Sequence, residues 1–295
     1  MYTLDECAER WRRILAPRTG DVRQELAIEL AEYLHLTVDE VVVRFADASA
    51  RFTHEWQRQV HNPADERALI RFYNESTTEI FDLARWHAED QIHYRTLICA
   101  DMASQNAGRS MLDFGSGIGS DALVFAQYGF EVTLADVSDP LRQFACWRCE
   151  RRGIAVKTID LKRERLPRRR YDVAICFDVL EHIPRPLRAV DRIGRALRPG
   201  GLLFVHAPFG EDPIRPMHVV HKDIVTPRMR SHGFNWREDL DQMFPAWLWA
   251  PKAWEAFDLS LLDRLGYAVH DTWLPGPVTA RLASWYRRLI PARTS

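Results

Sequence analysis

The chain has 295 residues, 46% of them hydrophobic and 27% charged, and 40 Lys plus Arg against 41 Asp plus Glu leave a formal charge of -1. That balance excludes a mainly disordered chain and removes the global basic field that holds nucleic acid through counterion release. No apolar run approaches the ~20 residues that cross a bilayer, and residues 1–13 carry Asp5, Glu6 and Glu9 in place of an apolar leader; a cytoplasmic protein without a membrane span is expected. The five cysteines are odd in number and irregularly spaced, which is no disulfide framework. Cys146 and Cys149 form a lone CxxC and read as half-buried helix residues. The cations are overwhelmingly Arg, a bias common in GC-rich bacterial genomes.

The first 110 residues read as helical. Thr3-x-x-Glu6, Asp21-x-x-Gln24 and Thr37-x-x-Glu40 each resemble a capping box ahead of an apolar-periodic run. Val22, Leu26, Leu30 and Leu34 form one stripe; Val42, Phe45, Ala46 and Ala50 form another. Pro63 breaks the pattern, and an aromatic-rich helical stretch follows from about residue 65 to 101. The pattern divides the chain into a helical accessory region (1–62), a helical lid or linker (63–109) and a third region (110–295). In that third region strands alternate with helices: strands at 110–113, 131–135, 156–159, 172–177 and 202–207, helices at 121–128, 141–152 and 187–197. This is the pattern of a parallel sheet built from βαβ units, an α/β fold. Six of the ten tryptophans fall after residue 210: Trp236, Trp247, Trp249, Trp254, Trp273 and Trp285. They read as packing surface, with an aromatic substrate wall as the sharper alternative. Residues 281–288 read as a solvated terminal helix with basic and aromatic residues.

The strongest chemical signal is Leu112-Asp113-Phe114-Gly115-Ser116-Gly117-Ile118-Gly119. Glycines let the backbone turn sharply and approach a ligand, and the helix that follows aims its free N–H groups at the loop. The GxGxG spacing differs from the GxGxxG of dinucleotide sites. Asp113 would repel a pyrophosphate but suits the ammonium of an amino-acid moiety. Asp136 ends the second strand, where a carboxylate can accept both hydroxyls of a ribose. Asp160 follows the third strand and could accept from an adenine amine, with Leu161 packed on the ring.

These residues, with Phe177-Asp178-Val179-Leu180-Glu181-His182 and Leu197-Arg198-Pro199-Gly200-Gly201, resemble class I S-adenosylmethionine-dependent methyltransferases, in particular the ubiquinone-biosynthesis-like branch. The resemblance covers about residues 110–235. It implies a Rossmann-like, mainly parallel seven-stranded sheet flanked by helices, with the N-terminal helices as an accessory region. It implies S-adenosyl-L-methionine as cofactor and S-adenosyl-L-homocysteine as product. Gly115, Gly117 and Gly119 would line the methionine and ribose, Asp136 and Val137 the ribose, Asp160 and Leu161 the adenine, and Phe177 and Asp178 the methionine near its methyl. Tyr73 is the expected lid contact. The sequence lacks the Asn/Asp-Pro-Pro-Tyr loop of DNA-adenine enzymes and an acid cluster of the catechol type, so no divalent metal is expected.

Methyl transfer from a sulfonium needs alignment first, and a base only where the acceptor holds a proton. His218 and His221 are the candidate bases, with His206 and His182 as further options; an H-x-x-H can also be half a metal site. The expected acceptor is a small molecule, with specialised metabolism as its setting, and a homodimer through the N-terminal helices is one use for residues 1–62. Three other readings stay open: a protein or RNA methyltransferase that docks through the helices, a catalytically silent adenosylmethionine-binding partner, and a nicotinamide oxidoreductase, which Asp113 and the glycine spacing disfavour.

Overall fold

The structure, a computed structural model, describes residues 2–106 and 108–259; Trp273, Trp285 and the stretch 281–288 lie outside the described residues. Eleven α-helices are described: α1 (Leu4–Leu15), α2 (Val22–Leu34), α3 (Val38–Ala46), α4 (Ala48–Gln59), α5 (Glu66–Glu75), α6 (Glu79–Glu89), α7 (Arg95–Ser104), α8 (Ser120–Gln127), α9 (Asp139–Arg151), α10 (Pro186–Ala196) and α11 (Glu238–Asp241). Two start with the expected reciprocal caps. Thr3 Oγ1 accepts the Glu6 N–H (3.3 Å) while Glu6 accepts the Thr3 N–H (3.0 Å). Thr37 and Glu40 repeat the arrangement at 3.2 and 2.7 Å, each pair satisfying donors the helix itself leaves open. Asp21 caps α2 by accepting the Gln24 N–H at 2.8 Å.

Two expectations are corrected here. The buried stripe on α3 and α4 is Val41, Phe45, Ala48, Phe52 and Trp56, whereas Val42, Ala46 and Ala50 are exposed. Val41, Val42 and Val43 are consecutive, so periodicity alone cannot choose the phase; Phe45 packs with the valine four residues before it. The single helical stretch from 65 to 101 is instead three helices and a 3-10 turn (Gln91–Tyr94). Ser76 Oγ accepts the Thr78 and Glu79 N–H groups (3.3 and 3.2 Å), and Asp90 accepts the Ile92 N–H at 2.9 Å. Short polar side chains there compete with the helix for backbone donors.

Among the described residues the sheet has seven strands: β1 (Ser110–Phe114), β2 (Glu131–Asp136), β3 (Lys157–Asp160), β4 (Tyr171–Phe177), β5 (Leu197–His206), β6 (Phe234–Trp236) and β7 (Lys252–Ala256), in the order β3-β2-β1-β4-β5-β7-β6. β1 to β5 pair in parallel; β7 runs antiparallel to both β5 and β6. The expected α/β fold is present, and β1 is buried along its whole length, as a strand covered on both faces must be. Strand order reverses between β1 and β4, which opens a crevice beyond their C-terminal ends.

One core joins α1, α2, α3, α6, α7, α8 and α9 to one face of the sheet, and a second packs α10 against the other. The N-terminal helices are thus tied to the sheet by shared core. They are also tied by charge. Arg148 on α9 is fully buried; its Nε meets Glu29 of α2 at 2.8 Å and its Nη1 donates to the Ile118 carbonyl at 2.6 Å. Arg152 adds bonds to Glu29 (2.5 Å) and to the carbonyls of Ile14 and Leu15 (2.8 and 2.9 Å). Through Ile118, this network holds the loop that follows β1. Cys146 and Cys149 lie on α9 as free thiols, one half-buried and one buried. No helix among the described residues is long and apolar enough to cross a membrane.

Candidate active site

The turn after β1 is held from below. The Gly115 and Ser116 N–H groups donate to the Ala135 carbonyl (2.8 and 3.3 Å), and Gly119 donates to Ser116 at 2.8 Å. Two glycines are sterically required. Gly115 has φ +82° and a Cβ there would overlap Val179; Gly119 has φ +75° and its Cβ would lie 2.8 Å from that of Ala145. Asp136, at the tip of β2, accepts the Gly117 N–H on one oxygen (2.9 Å) and the Ser138 N–H on the other (2.8 Å). This fixes the carboxylate and the glycine loop against each other.

Above this turn lies a cavity of about 800 Å³, within the ~300–1,000 Å³ of small-molecule sites. Gly115, Gly117, Asp136, Val137, Leu161, Phe177 and Asp178 line its floor. Tyr73 of α5 and Glu79, Leu83 and Trp86 of α6 form a wall from the N-terminal region. The structure places Asp113, Gly119 and Asp160 outside this lining. Asp113 is buried beneath the turn. Asp160 accepts the Lys162 N–H at 2.9 Å and pairs with its ammonium at 3.3 Å; Lys162, not Asp160, lines the cavity.

The glycine-loop half is rich in carboxyls. Burial pushes Asp113 well above the ordinary carboxylate range, and Asp121 and Asp136 add to the rise; one Asp113 oxygen has no partner among the described residues. Burial and the neighbouring Asp136 do the same to Glu79. Burial raises Asp121 despite a 2.5 Å hydrogen bond from the Thr96 hydroxyl. Burial also raises Asp136, against the pull of its backbone hydrogen bonds. Carboxyls kept from ionising by one another are relieved by a cationic ligand and aggravated by a pyrophosphate.

Beside them sits an ion-pair chain that sequence reasoning missed. Asp178 takes the left-handed conformation (φ +55°) and pairs with Arg95 and with His206 Nδ1 (2.6 Å). Burial alone would raise its pKa; Arg95 and His206 reverse that and hold it well below the usual carboxylate range. The buried Arg95 lies 4.5 Å from the Phe177 ring centroid, lines the cavity and has two nitrogens, Nε and Nη1, without partners among the described residues. A single arginine in a helix carries no motif, so its only signal is three-dimensional.

At the far end are Glu181, His182, Met217 and His218. His182 Nδ1 lies 3.0 Å from the Met217 carbonyl and 3.1 Å from the Tyr73 hydroxyl. A carbonyl only accepts, so Nδ1 carries the proton and Nε2 is bare. Burial, with His218 next to it, lowers His182 to about 3, and burial lowers His218 as well. His182 is neutral at neutral pH and a weak base. His218 is buried and lines the cavity, whereas His221 is exposed, lies outside the lining and contacts the His218 carbonyl at 2.9 Å. The structure therefore brings His218 and not His221 to the cavity: the turn that closes with the His218 N–H on the Arg215 carbonyl (3.0 Å), followed by Val219 and Val220 bonded to the Glu181 carbonyl, sets His218 beside His182. His206 is buried against Asp178 and Trp249, also outside the lining. Of the four described tryptophans in the C-terminal part, Trp254 is buried in β7, Trp247 is half-buried, and Trp236 and Trp249 are exposed; none lines this cavity.

A family model described as a methyltransferase domain matches residues 87–259. A protein of Coxiella burnetii named ubiquinone biosynthesis O-methyltransferase is 30% identical over 99 residues, covering 33% of this chain and 42% of the relative. One of the same name from Shewanella halifaxensis is 26% identical over 157 residues, covering 50% and 64%. The chain thus spans less than two thirds of these relatives' length. Among solved structures, the Burkholderia thailandensis 1,6-didemethyltoxoflavin-N1-methyltransferase with bound S-adenosylhomocysteine is 18% identical, covers 68% of this chain and 92% of its own, and has a TM-score of 0.48.

Proposed function

The chain belongs to the methyltransferase-domain family, and from that premise we propose that it transfers the methyl group of S-adenosylmethionine to a small-molecule acceptor. The carboxyl-lined crevice over a turn with no room for a Cβ carries this reading. The residues fit the cofactor. Each Asp136 oxygen spends one lone pair on a backbone N–H and keeps another for a ribose hydroxyl. Asp121, with Asp113 beneath it, offers carboxyl oxygens to an ammonium, and the Nε and Nη1 of Arg95, on different edges of the guanidinium, each offer a single donor to a carboxylate. Val137 and Leu161 flank the place for an adenine, and Asp160 holds that turn through Lys162.

Bound there, S-adenosylmethionine supplies a methyl on a sulfonium that carries its own leaving group. The chain's task is then alignment and exclusion of water. Phe177 and Asp178, fixed by Arg95 and His206, form the floor between the two halves of the cavity. His218 faces the acceptor half and is the residue placed to receive a proton. Enclosure of the cavity by α5 and α6 favours a small acceptor over a polymer. The names of the Coxiella and Shewanella relatives favour a hydroxyl as the group methylated.

Titration calorimetry with S-adenosylhomocysteine tests the reading. One tight site per chain is expected, followed by formation of S-adenosylhomocysteine from S-adenosylmethionine when hydroxylated small molecules are offered. Stabilisation by NAD alone would overturn the cofactor assignment. Binding without turnover on any acceptor class would favour a silent adenosylmethionine-binding protein, and turnover only on RNA or protein would replace the acceptor.

A further inference from the structure

We propose that His93, backed by His87 and joined by Arg95, forms a clamp for the amino-acid end of the cofactor, in which His93 Nε2 accepts a hydrogen bond from the ammonium. The proposal rests on the methyltransferase reading and adds two histidines to it.

His87 lies in the last turn of α6, and His93 lies on the 3-10 turn that follows, two residues before Arg95. Asp90 tightens the corner between them by accepting the Ile92 N–H (2.9 Å) and the Trp86 indole N–H (3.1 Å). The chain doubles back there, so the two imidazoles stack with centroids 3.9 Å apart and planes 21° apart. Trp86 packs edge-on against His93 at 4.5 Å, and Trp11 stacks with it at 5.9 Å. Rings enclosed in this way keep their orientation.

Both histidines line the cavity, together with Arg95, Asp121 and Asp178. The charges of Arg95 and Asp178 act on His93 and on Asp121 alike, which puts these groups at one end of it. That end is short of partners. His87 is 9% exposed, and His93 and Arg95 are 1% exposed. Among the described residues, His87 Nδ1, His93 Nε2 and Arg95 Nε and Nη1 are buried without a hydrogen-bond partner. Buried polar atoms are rarely left so in a folded protein.

Burial and the neighbouring His87 ring hold His93 well below its ordinary pKa, and burial with Arg148 and Arg95 lowers His87 to about 3. Both rings are neutral at neutral pH. The Trp86 carbonyl beside His93 favours a proton on Nδ1 and leaves Nε2 bare. The free Arg95 nitrogens only donate, and a bare imidazole nitrogen only accepts. One ligand satisfies both if it brings an acceptor and a donor side by side, as an α-amino acid does with its carboxylate and its ammonium. A pyrophosphate brings acceptors alone. An ammonium has three N–H donors, so His93 adds to Asp121 rather than competing with it.

The test is calorimetry on the full chain with three ligands. These are S-adenosylhomocysteine, its decarboxylated analogue, which keeps the ammonium, and methylthioadenosine, which lacks the amino-acid end. His93→Phe keeps a ring in the stack and removes the nitrogen. It should weaken the first two ligands by about tenfold or more and change methylthioadenosine by less than about twofold. His93→Gln, which returns an acceptor oxygen near the place of Nε2, should recover most of the loss. Equal loss for all three ligands in His93→Phe would overturn the proposal, because a ring that only shapes the cavity does not discriminate among them. So would a parent chain that binds the decarboxylated analogue no better than methylthioadenosine, a result that stands even if His93→Phe fails to fold. Failure of all three ligands to bind the parent chain would refute the cofactor assignment and the clamp with it, whereas the other two outcomes refute the clamp alone.

Discussion

Asp136 serves two partners at once, since the groups that hold it in place leave lone pairs for a ligand. Asp136→Ala should weaken S-adenosylhomocysteine binding by about 10- to 100-fold, as expected for losing hydrogen bonds to a charged group worth roughly 1.5–3 kcal/mol. Calorimetry checks this; unchanged affinity would remove Asp136 from the site. The crowded carboxyls give a second outcome. Asp113 and Glu79 have raised pKa values, so they hold protons that ordinary carboxylates release. A ligand bearing a sulfonium and an ammonium lowers those values and expels protons. Binding of S-adenosylmethionine should therefore release protons and tighten as pH rises through the raised values. The enthalpy measured in buffers of different ionisation heat reports it, and a buffer-independent enthalpy would contradict it. Much of this was legible in sequence: Gly115, Gly117, Asp136, Val137, Leu161, Phe177 and Asp178 all line the cavity. Arg95 and the approach of Glu181 to His218 were not, because these buried residues sit in separate segments that only the fold brings together.

Among the elements, α6 matters most to the site, since it supplies Glu79, Leu83 and Trp86. Its first turn depends on Ser76, which accepts the Glu79 N–H and donates to Glu55 at 2.7 Å. Ser76→Ala should cost about 0.5–2 kcal/mol, the usual cost of losing a helix-start cap, and Thr37→Ala a similar amount. The two should part in binding. Ser76→Ala should weaken S-adenosylhomocysteine binding, and Thr37→Ala, at the start of α3, should leave it within about twofold. Equal effects on binding would show that the α6 start does not position the wall. At this scale the alternation of strands and helices was readable from hydrophobic runs and turn residues, and the main βαβ elements lie close to their expected positions. The antiparallel β6–β7 pair was not, because 15 residues that include α11 separate the strands, so no turn signal announces a hairpin. The break of the 65–101 stretch was missed because Ser76 and Asp90 act through side-chain hydrogen bonds that helical periodicity does not register.

For the molecule as a whole, the joint between α2 and α9 decides whether the N-terminal helices and the sheet behave as one body. Glu29 is buried between Arg148 and Arg152. Glu29→Ala leaves buried cationic charge unpaired and should cost about 3–5 kcal/mol, seen in chemical or thermal unfolding. Replacement of Glu29 and Arg148 together by apolar residues should recover much of it; a mild loss in the single variant would mean that water reaches the joint. Asp178 adds a pH dependence. Its folded pKa lies below the unfolded value of about 4, so its contribution is present above that value and is lost as pH falls through the lower folded one.

The same joint sets an order of events during synthesis. Leu15 and Glu29 receive their partners from Arg148 and Arg152, which lie more than a hundred positions later in the chain. Until a ribosome has released α9, the seat of α2 is incomplete and Glu29 is unpaired, and contacts so distant along the chain form slowly. The nascent N-terminal half must therefore wait, with Tyr33 short of its partners Phe144 and Trp147, and chaperone demand for this protein should peak midway through translation and fall once residue 152 has emerged.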